Sequence, residues 1–93
     1  MVVYKIRINS PKDIVYVPMQ TGAKILRAHE QDGALCLWFY CDPNAEVIHR
    51  GIRIAGTGHP IEFSGDSNPV FIGTVLMQSG LVWHLFDLGE FPF

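Results

Sequence analysis

Apolar and polar residues alternate with a period of two along most of the chain, which is the spacing of β-strands with one face in a core. In VVYKIRIN, Val2, Tyr4, Ile6 and Ile8 fall on one side and Lys5 and Arg7 on the other. DIVYVP sets Ile14 and Tyr16 against Val15 and Val17. Pro18 has no N–H to give a ladder, so it predicts an edge or the end of that strand. AKILRAHE is a weaker repeat with Ile25 and Ala23 facing in. ALCLWFYC, residues 34–41, is apolar on both sides, the pattern of a central strand covered on both faces.

Turn formers punctuate these runs. Asp32-Gly33 predicts a two-residue hairpin, because both residues tolerate positive φ. Pro43 and Asn44 in DPNAE end the apolar strand. VIHRGIRIAG reads as the next strand, with a bulge or bend at Gly51. Residues 56–69 are rich in glycine, serine and proline and predict a long surface loop holding one short extended piece, IEF. VFIGTVLM and LVWHLFDL are two more strands, joined by a tight hairpin at Ser79-Gly80. About seven mostly antiparallel strands and no helix predict an all-β fold, a single small sandwich or partly closed barrel. Residues 1–93 are expected to form a single domain.

Composition adjusts this picture in three ways. A chain of this length buries roughly 60–65% of its unfolded surface, enough for one compact core. Only 17% of the residues are charged, against about 25% in an ordinary domain. Uncovered apolar surface is the expected result, and with it homo-oligomerisation, a dimer first. Basic and acidic residues number 7 and 9, net −2, with signs interspersed. That pattern argues against generic nucleic-acid binding, which needs clustered Lys and Arg. No apolar run approaches the roughly 18–20 residues that span a bilayer, and the first residues lack a signal-peptide layout, so no membrane contact is expected and the cytoplasm is the default location.

Cys36 and Cys41 lie five residues apart on one predicted strand. They would face opposite ways, roughly 17 Å apart at ~3.3 Å per residue, too far for a disulfide, so two free buried thiols are expected. Of the two, Cys41 at the strand end is expected to be the more accessible.

RIAGTGHPIEF is the stretch most suggestive of chemistry. Gly56, Thr57, Gly58 and His59 could cradle an anion through backbone N–H groups, with Arg50 or Arg53 as its charged partner. A phosphate loop, however, needs a following lysine or a helix N-terminus, and neither is present. A turn leaving a strand is therefore the more economical reading. His29, His49, His59 and His84 have no metal spacing among themselves or with the cysteines. Ser10, Ser64, Ser67 and Ser79 sit at turns without a nucleophile pattern, and Glu62 and Asp66 read as solvated. His84 reads as hydrogen-bonded and half-buried. No catalytic set assembles, so no enzyme, metal or cofactor is expected. The aromatic inventory exceeds one small core face, and Trp38, Tyr40 and Trp83 are candidates for a binding patch.

The runs Gly22–Leu26, Cys36–Trp38 with Asp42-Pro43, Gly56–Ile61, Phe71–Thr74 and Val82–His84 together resemble a family of short bacteriophage and prophage proteins without assigned biochemical function. The resemblance covers nearly the whole chain. It implies a phage origin, action in the bacterial host cytoplasm and no catalytic residues. The leading expectation is a non-enzymatic accessory protein that binds a host or phage protein, with inhibition of a host defence system such as CRISPR as one form of it. A nucleotide-signal binder using residues 56–59, and a minor virion or assembly protein, are the alternatives.

Overall fold

The computed structural model describes residues 1–9, 11, 13–63 and 68–92. Ser10, Ser64, Asp66 and Ser67 lie outside the described residues. Seven strands are present: β1 (Val2–Ile8), β2 (Ile14–Gln20), β3 (Lys24–Gln31), β4 (Ala34–Cys41), β5 (Val47–Gly56), β6 (Val70–Leu76) and β7 (Val82–Phe91). Every pairing is antiparallel. β1-β4-β3 form one sheet and β2-β5-β7-β6 the other. The sheets stack face to face without closing into a barrel, and the sandwich is the architecture adopted.

Core and outer faces follow from the two-residue period. On β4, Leu35, Leu37, Phe39 and Cys41 turn inward and meet Val17, Met19, Ile52, Ile54, Val75 and Leu85 of the opposite sheet. Leu37, Ile52 and Leu85 have no exposed surface at all. The other side of β4 differs from its expected cover. Ala34 and Cys36 are buried there, yet Trp38 is half-buried and Tyr40 exposed, because no other layer of strand or helix among the described residues covers that face. Cys36 and Cys41 are free, and Cys41, at 1% exposure, is no more accessible than Cys36. Its strand-end position is capped by the inward-facing core.

The turns show where local chemistry decided the path. Asp32 (φ 52°) and Gly33 (φ 80°) link the paired residues Gln31 and Ala34, the positive-φ turn that suits the strand twist. After β4, Asn44 N–H bonds Asp42 Oδ1 at 2.9 Å and Ala45 N–H bonds Asp42 O at 3.1 Å. The second hairpin is longer than expected. Met77 N–H donates to Leu81 O (2.8 Å) and Gly80 N–H to Met77 O (2.9 Å), leaving a three-residue loop, Gln78 to Gly80. Gly80 closes it at φ 96°, the left-handed residue such a loop requires. Pro18 does not end its strand. β2 runs on to Gln20 as an edge, where a missing donor costs no ladder bond. Residues 61–63 stand in no ladder.

A bulge does fall at Gly51, but the extra residue belongs to β7. Gly51 pairs with Gly89 and Ile52 with Asp87, so Leu88 is left over. This turns Asp87 to two partners. Its Oδ1 accepts Gly89 N–H (2.8 Å) and its Oδ2 accepts Arg50 Nη1–H (2.9 Å). The buried Arg50 also donates from Nη2 to Ala23 O (2.7 Å), where the chain enters β3. One guanidinium thus joins β5, β7 and the opposite sheet. Asp87→Ala would leave that charge buried beside Glu90, 3.7 Å away. The expected cost is about 3 kcal/mol, read as a lowered midpoint in urea unfolding followed by tryptophan fluorescence. A loss below ~1 kcal/mol would mean that the ion pair is solvated.

Candidate functional site

Residues 56–59 form a closed β-turn. His59 N–H donates to Gly56 O (3.1 Å), and Gly58 takes φ 84° at the third position. The His59 ring packs against Gly56 so closely that a Cβ there would stand 2.7 Å from Nδ1. Thr57 Oγ1 and His84 Nε2 are 2.8 Å apart, and His84 Nδ1 lies 2.9 Å from Thr74 Oγ1. His84 is therefore half-buried with both ring nitrogens bonded, and it pins the turn to β6 and β7.

The two arginines separate. Arg53 Nη1 donates to Asp13 O (2.9 Å) and Ile54 O (3.2 Å), Nη2 to Pro60 O (3.1 Å), and the group pairs with Asp13 Oδ1 at 3.3 Å. It braces the start of β2 against the segment that follows the turn. Arg53, Gly56 and His59 share a cleft of about 450 Å³ with Asp13, Pro60 and Trp83. Arg50 lines a different depression, beside Asp87 and Phe71. Of the six candidates, Arg53, Gly56 and His59 reach one cleft, Thr57 and Gly58 are exposed in the turn beside it, and Arg50, the alternative charged partner, does not line it. The guanidinium in the cleft already serves three carbonyls and a carboxylate, so an incoming anion would compete with bonds that hold the fold. Among the described residues, no three of His, Cys, Asp and Glu lie close enough to share a metal ion.

The aromatic candidates also divide. Trp38 and Tyr40 are neighbours in one outward stripe of β4. Trp83 packs against the core at the edge of the His59 cleft.

A larger aromatic surface covers the outer face of β2-β5-β7-β6. Tyr16 and Phe91 meet edge to face, with centroids 5.3 Å apart at 82°. Phe86 holds Phe63 (5.5 Å, 69°) and Phe71 (5.5 Å, 58°) against its two sides. Gly51 lies beneath the Phe91 ring, where a Cβ would approach Cε1 to 2.6 Å. Tyr16 is 46% and Phe71 57% exposed. The surplus of aromatic residues signalled such a patch. Alternation alone could not place it, because Phe63 lies outside the strands and Phe91 reaches Tyr16 only through the pairing of β7 with β5 beyond the bulge.

No helix among the described residues is long and apolar enough to cross a membrane. No curated protein and no solved structure matches the chain. A family profile described as Domain of unknown function (DUF7352) matches residues 1–91. With that match over nearly its whole length, in one continuous two-sheet sandwich, the chain belongs to the DUF7352 family.

Proposed function

We propose that this protein is a non-enzymatic binding module that docks another protein on the aromatic outer face of its four-stranded sheet. The observation that carries the reading is the ring cluster in which exposed Tyr16, Phe63 and Phe71 pack on half-buried Phe86 and Phe91, with no further strand over it among the described residues. Rigid aromatic side chains supply large contact area at low entropic cost, and they concentrate where binding energy is concentrated. Ile14, which lines one depression with Tyr16, Phe63 and Phe91, extends the apolar rim. The low charge of the chain supports the same use. The setting that fits is the one its sequence pattern resembles, a phage accessory protein acting on a host or phage protein in the bacterial cytoplasm. Host defence complexes, CRISPR effectors among them, are the first class of target, and a second copy of the chain is the other.

Phe71→Glu tests this directly, since a residue so exposed can be changed without unfolding the sheet. With the partner identified by affinity capture and then purified, the variant should bind at least tenfold more weakly. Tyr40→Glu, on the opposite sheet, should bind as the unchanged protein does. If the partner is a second copy, sedimentation should show dimer for the parent and monomer for Phe71→Glu. Equal binding by Phe71→Glu and the parent would overturn the proposal.

The Arg53–His59 cleft supports a second reading, a small nucleotide ligand. A thermal-shift screen with cyclic and linear nucleotides discriminates: ligand at 100 times Kd stabilises by about 2.7 kcal/mol. His59→Ala should abolish any shift, and the absence of a shift with every nucleotide would remove this alternative.

A further inference from the structure

The outer face of the three-stranded sheet carries a different chemistry, independent of the aromatic face just described. The register sets Lys5 and Arg27 directly on either side of Trp38, Val3 and Lys24 on either side of Tyr40, and Arg7 and His29 on either side of Cys36. None of those positions is acidic. Lys5, Arg7, Lys24 and Arg27 are four of the chain's seven basic residues, whereas Arg50 and Arg53 turn to internal carboxylates and carbonyls. Lys5 reaches across β4 to Gln31 Oε1. Arg7, Lys24 and Arg27 make no ion pair or hydrogen bond with any described residue. The pairing of β1 and β3 with β4 gathers these four cations onto one side of the sheet.

That side also has exposed ring surface. Tyr40 is 41% exposed, and Val3, Leu26, Arg27, His29 and Trp38 enclose a shallow depression of about 360 Å³. Trp38 and Tyr40 stand two residues apart, ~6.6 Å along the strand. We infer that this face binds single-stranded nucleic acid, with unpaired bases stacked on Trp38 and Tyr40 and phosphates held by Lys5, Arg7, Lys24 and Arg27. A central aromatic stripe with cations on both flanks matches a chain whose bases alternate with charges. A duplex hides its base faces, whereas a single strand leaves them open to stack on the rings. The chain's net charge of −2 is no obstacle, because local potential, not the total, draws a polyanion to a face.

The test is fluorescence anisotropy of a labelled oligothymidylate of about fifteen nucleotides, titrated at low salt. Binding is expected, weakening with salt with a log–log slope near −2 to −3, as for roughly three to four phosphates on a single strand. Arg27→Glu and Tyr40→Ala, both at exposed positions, should each weaken binding about tenfold. Trp38→Phe, which keeps a ring, should weaken it less than Trp38→Ala, with folding of each variant checked by circular dichroism. Phe71→Glu should leave it unchanged. No binding at low salt would overturn the inference. So would equal affinity for duplex DNA or polyglutamate, or binding indifferent to Tyr40→Ala and Trp38→Phe, since each would reduce the face to a simple patch of charge.

Discussion

Two sheets share one interior, and everything else in the molecule is arranged around that limit. Leu35, Leu37 and Phe39 of β4 pack against Ile52, Ile54 and Leu85 of the other layer, and their burial is the main source of stability. Among the described residues, no third layer of strand or helix stands over either sheet. Each sheet therefore has an outer face that is only partly covered, and the exposed residues there are free of the demands of the core. This is where apolar and aromatic residues beyond the needs of the interior have to stand.

Within the interior, Arg50 is the exception to an apolar rule. Burying a guanidinium is tolerable only where fixed acceptors replace its water. Here Asp87, Ala23 O and the nearby Glu90 do so for the two terminal nitrogens, while Nε is buried without a hydrogen-bond partner among the described residues. The β7 bulge is part of the same device. The extra Leu88 and the left-handed Gly89 let Asp87 bond Gly89 N–H and Arg50 together. The same irregular stretch brings Phe91 over Gly51, and with it Tyr16, into the outer aromatic cluster. Inner ion pair and outer surface are thus two consequences of one register shift.

Much of this was legible in the chain itself. Alternation, apolar runs and turn residues together located all seven strands, and Asp32-Gly33 announced its turn, because these signals depend on residues adjacent in sequence. The central place of β4 followed from its unbroken apolar run. What could not be read was anything set by partners distant along the chain. Alternation in IVYV gives two candidate faces and does not say which is inside; the core took Val15 and Val17 and left Tyr16 outside. Arg50 and Arg53 looked available for an anion because most of their partners are distant, Asp87 and Ala23 lying 37 and 27 residues from Arg50, and Asp13 and Pro60 lying 40 and 7 residues from Arg53. Lys5 and Arg27 looked dispersed because only the pairing of β1 and β3 with β4 places them around one tryptophan.

Under the two proposals, the molecule's binding is divided between two outer faces, an aromatic one for a protein and a cationic one for a polyanion. Hydroxyl-radical footprinting reads it most directly, because Phe, Tyr and Trp side chains are themselves the reporters. The protein would be oxidised alone, with its purified protein partner, and with oligothymidylate. The account predicts that the protein partner shields Tyr16 and Phe71 and leaves Trp38 and Tyr40 reactive, while the oligonucleotide does the reverse. Protection of the same face by both ligands, or of neither face by either, would contradict it.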